Sequence, residues 1–171
     1  MAEPHSKEVL LEARIFTVER RFEADREGQP HERFVVVHPG AVVVLPVLDD
    51  GRVILIRNER FAVGKALWEF PAGTLEPGEE PSLCAGRELE EETGYRAAHV
   101  RPLGRFYTSP GFCTEVLHVF EASNLVPTKQ DLDPTERISV HPFARVDVET
   151  LITQGEIEDA KSLATWLLWS R

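Results

Sequence analysis

Four of the five positions from Glu88 to Glu92 are glutamate, and the segment leading to them from Gly73 also carries Glu79 and Arg87. A stable fold has no need of its own for carboxylates crowded in this way. Glutamates four apart on a helix repel each other by about 0.2–0.5 kcal/mol, and Glu88 and Glu92 form such a pair. A hard divalent cation removes that penalty, because carboxylate oxygens are its preferred ligands. A solvated acidic face would serve equally well for a bare run such as Glu90-Glu91-Glu92, so the residues around the run must decide.

Pro81 or Ser82 is suited to open a helix, and Gly94 to end one after Thr93. At about 100° per residue, Ser82, Ala85, Leu89 and Thr93 share one face, with Glu88 and Glu92 together on the adjoining flank. Arg87 can bond to a neighbouring carboxylate and fix its orientation. The six histidines are scattered, and no His/Cys group has zinc spacing.

Either side of this helix the chain alternates irregularly between strand and helix patterns. Val9 to Phe22 reads as two short strands, Asp25 to Pro30 as a turn, and Phe34 to Val37 as a third strand. Ala41 to Leu48 is almost continuously apolar, as expected of a strand buried on both faces. Asp49-Asp50-Gly51 turns it back into Arg52 to Arg57. Further strands are expected at Val100 to Thr108, Val116 to Ala122 and Ile138 to Phe143. A short helix should span Asp147 to Thr153, and Asp159 should cap a last helix through Trp169. This order favours an α+β or α/β/α sandwich over a doubly wound sheet.

The 171 residues suffice for one domain with a core, and 42% hydrophobic content fits a globular chain. A net charge of -10 argues against a nucleic-acid surface but not against a single nucleotide, whose charge a cation can offset. Cys84 and Cys113 provide no disulfide framework and are expected as reduced thiols. No apolar run approaches the roughly 20 residues of a membrane span. The first residues lack the basic and then apolar pattern of a secretion signal. The expected setting is cytoplasmic, with no membrane and no nucleic acid as partner.

Gly73, Glu79, Arg87, Glu88, Glu91, Glu92 and Gly94 fall on the spacing G-x5-E-x7-R-E-U-x-E-E-x-G-U, where U is bulky and apolar. The pattern resembles the Nudix box, with Tyr95 in a place more often aliphatic. The resemblance implies an α/β/α sandwich whose box forms loop-helix-loop. It also implies hydrolysis of a nucleoside diphosphate linked to another group, with Mg²⁺ or Mn²⁺. Carried over by position, Glu88 and Glu92 are the expected principal metal ligands, Glu91 a third, and the Ala72 carbonyl a backbone ligand. Gly73 would let the backbone come close to metal and phosphates.

The flanks are similar to those of the ADP-ribose (ADP-sugar) pyrophosphatase branch. Trp68-Glu69-Phe70-Pro71-Ala72-Gly73 resembles its lead-in to the box. Pro110 lies sixteen residues after Gly94, within Ser109-Pro110-Gly111-Phe112, where the branch has a proline turn, and Glu115 matches an acidic position beyond it. Gly155 to Leu163 resembles the branch's closing segment. Asn58 departs from a glutamine often found two residues before the arginine matched by Arg60. By this resemblance Arg60, Glu69, Gly73, Pro110, Gly111, Phe112 and Glu115 are expected around the substrate. Pro110-Gly111 also reads as an ordinary turn, Phe112 as a buried aromatic, Arg60 as a surface ion pair, and the three tryptophans as core or interface.

The implied reaction is attack of water on the diphosphate of ADP-ribose, giving AMP and ribose 5-phosphate. Glu136 aligns with an acidic loop residue of the branch and is the first candidate for base or late metal ligand. Glu115 and Glu91 are alternatives, and an exposed loop charge is the plain reading of Glu136. Another nucleotide sugar such as GDP-mannose, or a non-catalytic Nudix-fold sensor, are the competing readings. Residues 1–38 read as a strand extension that joins two chains into a homodimer, and residues 39–171 as the catalytic domain.

Overall fold

The structure is a computed structural model and describes residues 7–171. Its first three strands, β1 (Lys7–Glu12), β2 (Thr17–Ala24) and β3 (Pro30–Val37), form an antiparallel sheet of their own. The β1 side chains are all exposed, so this sheet encloses no core of its own. Its link to the rest of the chain is β3, where the Val36 amide donates to the Phe112 carbonyl at 2.8 Å and the Thr114 amide to the Val36 carbonyl at 2.9 Å.

The body begins with β4 (Ala41–Pro46), buried throughout. It pairs with β7 (Ala72–Thr74) on one side and runs parallel to β9 (Val116–Pro127) on the other, and β9 pairs with β8 (Tyr95–Tyr107). A second sheet has β5 (Val53–Arg60) between β10 (Ile138–Phe143) and β6 (Lys65–Glu69). A single 3-10 turn, Phe61–Val63, joins β5 to β6.

Side chains alternate along a strand, and in β4 that alternation divides two cores. Val42 and Val44 pack with Cys84, Ala85 and Leu89 of α1 (Pro81–Thr93). Ala41, Val43 and Leu45 pack with Phe70, Val148 of α2 (Arg145–Thr153) and Trp166 of α3 (Ala160–Trp169). Helices on both faces of the strand explain why its sequence is apolar without interruption. The expected α/β/α sandwich with an added N-terminal antiparallel sheet is the architecture found.

Several local expectations need correction. Ser82 is exposed, and Cys84 takes its place on the buried face of α1, because the first turn overhangs the sheet. β8 begins at Tyr95 rather than Val100, and β9 runs to Pro127 rather than Ala122. Their outer ends mix polar and apolar residues, and cross-strand pairing sustains them together with Ala97 and Leu125, which pack against the core beside α1. β6 and β7 are too short to leave a periodic signal. Asp159 does cap α3, accepting from the Ser162 amide at 2.9 Å.

Candidate active site

α1 supplies the carboxylates. Pro81 stands at its first turn and Gly94, at φ 69°, ends it in a left-handed conformation, as its sequence predicts. Leu89 and Ala85 bury one stripe, which turns Glu88 and Glu92 toward the β7 backbone. The Glu92 side chain is buried, and its Oε2 accepts from the Ala72 amide at 2.8 Å. Gly73, the next residue, lies directly against the Glu88 carboxyl, in space that any side chain would fill.

Arg87 arranges the remaining carboxylates. Its guanidinium donates to both Glu79 oxygens at 2.9 and 3.0 Å, to Glu88 Oε1 at 2.7 Å and to Glu91 Oε2 at 2.9 Å. Glu79 in turn accepts from the Glu76 amide at 3.0 Å. The Arg87 bonds hold the Glu79 carboxyl far below its usual range, at about 2.

Glu88 and Glu92 both shift the other way from Glu79. Burial pushes Glu88 up to about 7 against the pull of Arg87, with Glu91 and Glu136 adding repulsion. Burial pushes Glu92 up to about 8 despite the Ala72 amide, with Glu88 and Glu136 adding to the rise. Buried Glu92 and largely buried Glu88, resisting ionisation side by side above a backbone stripped of side chain at Gly73, form a donor set suited to a hard divalent cation. Among the described residues, no three His, Cys, Asp or Glu side chains converge as ligands around one point. Instead Glu88 and Glu91 turn to Arg87, Glu92 to the Ala72 amide, and Glu136 to its own loop, where Oε2 accepts from the Asp133 amide at 2.8 Å.

Arg60 and Glu69 are joined to each other. The Arg60 guanidinium grips Glu69 with two bonds of 2.8 and 2.6 Å, and Lys161 Nζ donates to the same carboxylate at 2.5 Å. Burial alone would push Glu69 up; Arg60 and Lys161 together hold it below its ordinary value. Glu69 is 1% exposed, so its place is to hold Arg60, whose outer edge remains open to solvent. Lys161 also contacts Asp159 at 3.0 Å, and Ser162 Oγ accepts from the Phe70 amide at 2.8 Å. The first turn of α3 thus braces the segment that leads into Ala72 and Gly73. Lys161 and Ser162 escaped the sequence reading of the site, although both lie in the Gly155–Leu163 segment that resembles the branch's close.

The loop between β8 and β9 is a tight turn, with the Phe112 and Cys113 amides donating to the Ser109 carbonyl at 3.1 and 2.9 Å. Pro110 and Gly111 occupy that turn, as their plain reading holds. Phe112 is 58% exposed, which removes the buried-aromatic reading. Glu115 accepts from Thr108 Oγ1 at 2.7 Å and lies 3.6 Å from His38 Nδ1. This group abuts β3, so the structure places Pro110, Gly111, Phe112 and Glu115 where the N-terminal sheet meets the body. Trp166 is buried and stacked on Phe70, while Trp68 meets His141 and Phe143 edge-on.

A family model described as the NUDIX domain matches residues 37–166. An ADP-ribose pyrophosphatase of Bacillus subtilis (strain 168) is 44% identical over 137 residues, which cover 79% of this chain and 74% of that protein. A methanol dehydrogenase activator of Bacillus methanolicus is 36% identical over 138 residues, covering 80% and 75%. Among solved structures, one described as the crystal structure of ADP compounds hydrolase superposes with a TM-score of 0.85. It is 24% identical, covers 96% of this chain and 90% of its own, and shows the shared fold.

Proposed function

The chain belongs to the NUDIX domain family, and from that membership we propose that it hydrolyses the diphosphate bridge of ADP-ribose or a related ADP-sugar, releasing AMP and a sugar phosphate. The observation that carries this reading is the pair of largely buried Glu88 and buried Glu92 facing the bare backbone at Gly73. The similarity to an ADP-ribose pyrophosphatase supports the choice of substrate class.

Glu88, Glu91 and Glu92, with the Ala72 carbonyl and Glu136, would hold Mg²⁺ or Mn²⁺. When bound, the cation neutralises phosphate charge and makes a water more acidic. The chain's own residues do the rest. Arg87 keeps Glu88 and Glu91 on one side of α1. Arg60, fixed by Glu69, offers its solvent edge to a phosphate or ribose oxygen. Phe112 offers an exposed ring on which the adenine can stack, beside Pro110, Gly111 and Glu115.

Water adds through its oxygen to one phosphorus of the bridge. The anhydride P–O bond breaks, and its electron pair stays on the departing phosphate oxygen. The proton from the water passes to a Glu136 carboxylate oxygen. Glu136 is taken ahead of Glu91 and Glu115 because it aligns with the acidic loop residue of the branch; all three are hydrogen-bonded, Glu136 to the Asp133 amide, Glu91 to Arg87 and Glu115 to Thr108.

The protein is further proposed to be a cytoplasmic homodimer. Val9, Leu10, Leu11 and Phe34 on the N-terminal sheet, with Ile15 in the bend between β1 and β2, are each between 46% and 54% exposed, an apolar surface suited to a second copy. The substrate reading is tested by measuring phosphate released by a coupled phosphatase from ADP-ribose, GDP-mannose, NADH and 8-oxo-dGTP with Mg²⁺. ADP-ribose should have the highest kcat/KM; a clear preference for another of the four would replace it.

A further inference from the structure

We propose that Gln130 is a positioning residue. It fastens the loop between β9 and β10 to the C-terminal end of α1 and so sets Glu136 relative to Glu88 and Glu92. The inference rests on the reading of Glu136 as proton acceptor.

The last carbonyls of a helix lack partners within it, and α1 has no basic residue in its last turn. The Glu90 carbonyl accepts from the Gly94 amide at 2.8 Å. Its neighbours are served by the loop. Gln130 Nε2 donates to the Glu92 carbonyl at 2.6 Å, the Asp131 amide to the Glu91 carbonyl at 3.0 Å, and the Thr128 amide to the Gly94 carbonyl at 2.7 Å. The backbone of the carboxylate-bearing turn and the base of the Glu136 loop are therefore one hydrogen-bonded unit. Gln130 contributes the side chain in that set.

Packing gives the loop little other support. Gln130 lines a cavity of about 590 Å³ with Arg87, Glu91 and Lys129, and a second of about 460 Å³ with Thr93, Tyr95 and Ile138. Where the loop does touch the helix, it comes down on Gly94: a Cβ there would meet the Gln130 amide nitrogen at 3.1 Å. Beyond this anchor, the Glu136 amide donates to the Asp133 carbonyl at 2.9 Å, closing a turn. The far end is tied to β5, where the Glu59 amide donates to the Arg137 carbonyl at 3.2 Å. Glu136 is thus carried between two fixed points, and Gln130 secures the one that belongs to the ligand helix.

The test uses Gln130→Met, which keeps the length and removes the donor, alone and combined with Glu136→Gln. In the metal-free protein, the Asp131 and Thr128 amides should exchange with solvent at least about tenfold faster, while those of β4 do not change. With Mg²⁺ and ADP-ribose, Gln130→Met should lower kcat about tenfold at constant KM, and should lower it no further in the Glu136→Gln background. Gln130→Lys, whose ammonium can donate to the same carbonyl, should restore kcat. An equal loss in both backgrounds, unchanged exchange at Asp131, or no rescue by lysine overturns the positioning role and leaves Glu136 in place. If Glu136→Gln alone loses less than about tenfold, the reading of Glu136 falls, and this inference with it.

Discussion

A Cβ on Gly73 would sit 1.8 Å from the Glu88 carboxyl carbon and 2.1 Å from both of its oxygens. The glycine is required by a side chain fifteen positions away in sequence, and not by its own backbone angles. In Gly73→Ala the clash is with the free end of a flexible glutamate, which can swing aside at small cost to the fold. The variant should melt within about 4 °C of wild type and lose about 10–100-fold in kcat/KM. Unaltered activity in an alanine variant of proven structure would detach Glu88 from the site.

Glu92 is buried and pushed up to about 8, so its negative charge weakens the metal-free fold. Glutamine keeps an oxygen for the Ala72 amide and removes the charge. Glu92→Gln should therefore raise the metal-free melting temperature at pH 8, by about 2–4 °C for each kcal/mol relieved. It should also lower kcat by more than about 100-fold. Differential scanning calorimetry and a turnover assay separate the two effects; a lower melting temperature would contradict the electrostatic account.

The same shifts set a pH profile. Carboxyls raised from 4.5 to about 7 and about 8 bind protons in the folded state that the unfolded chain has already lost. Stability of the metal-free protein must then increase as pH falls from about 8 toward about 5. Below that, Glu79 acts in the opposite sense. Its folded value of about 2 gives stability that is present above 4.5 and lost as pH falls through about 2. The expected maximum lies near pH 5, and Mg²⁺ at pH 8 should recover most of the difference. A metal-free melting temperature that climbs steadily from pH 5 to 8 would refute this.

Lys161→Met removes one of the two cations from the 1% exposed Glu69. Loss of a hydrogen bond to a buried charge costs about 1.5–3 kcal/mol. Chemical denaturation should show that loss without a change in m-value. Because the Phe70–Ser162 brace persists, kcat/KM should fall less than in Gly73→Ala.

Leu11→Glu places a charge on the exposed apolar sheet. Size-exclusion chromatography with light scattering should show the wild type as a dimer and this variant as a monomer at micromolar concentration. A monomeric wild type would end the homodimer reading.

How far the sequence could be read depended on the range of the interaction. Gly94 and Pro81 bound α1 by local backbone chemistry, and both act at the positions their sequence context predicts. The continuous run in β4 and the capping Asp159 are equally local signals. Ser82 misled because helical spacing gives a face but not where that face stops meeting the sheet. β6 and β7 gave no signal because a strand of five or three residues exists only through its partner.

Spacing along one helix brings Glu88 and Glu92 together, since a turn of α-helix returns every fourth side chain to the same flank, and the motif around them identifies the family without coordinates. The grip of Glu69 on Arg60, the brace from Lys161 and Ser162, and the fastening of Gln130 beneath the Glu136 loop join residues between nine and ninety-two positions apart. Those contacts follow from how two sheets and three helices close on one another, and no periodicity along the chain records them.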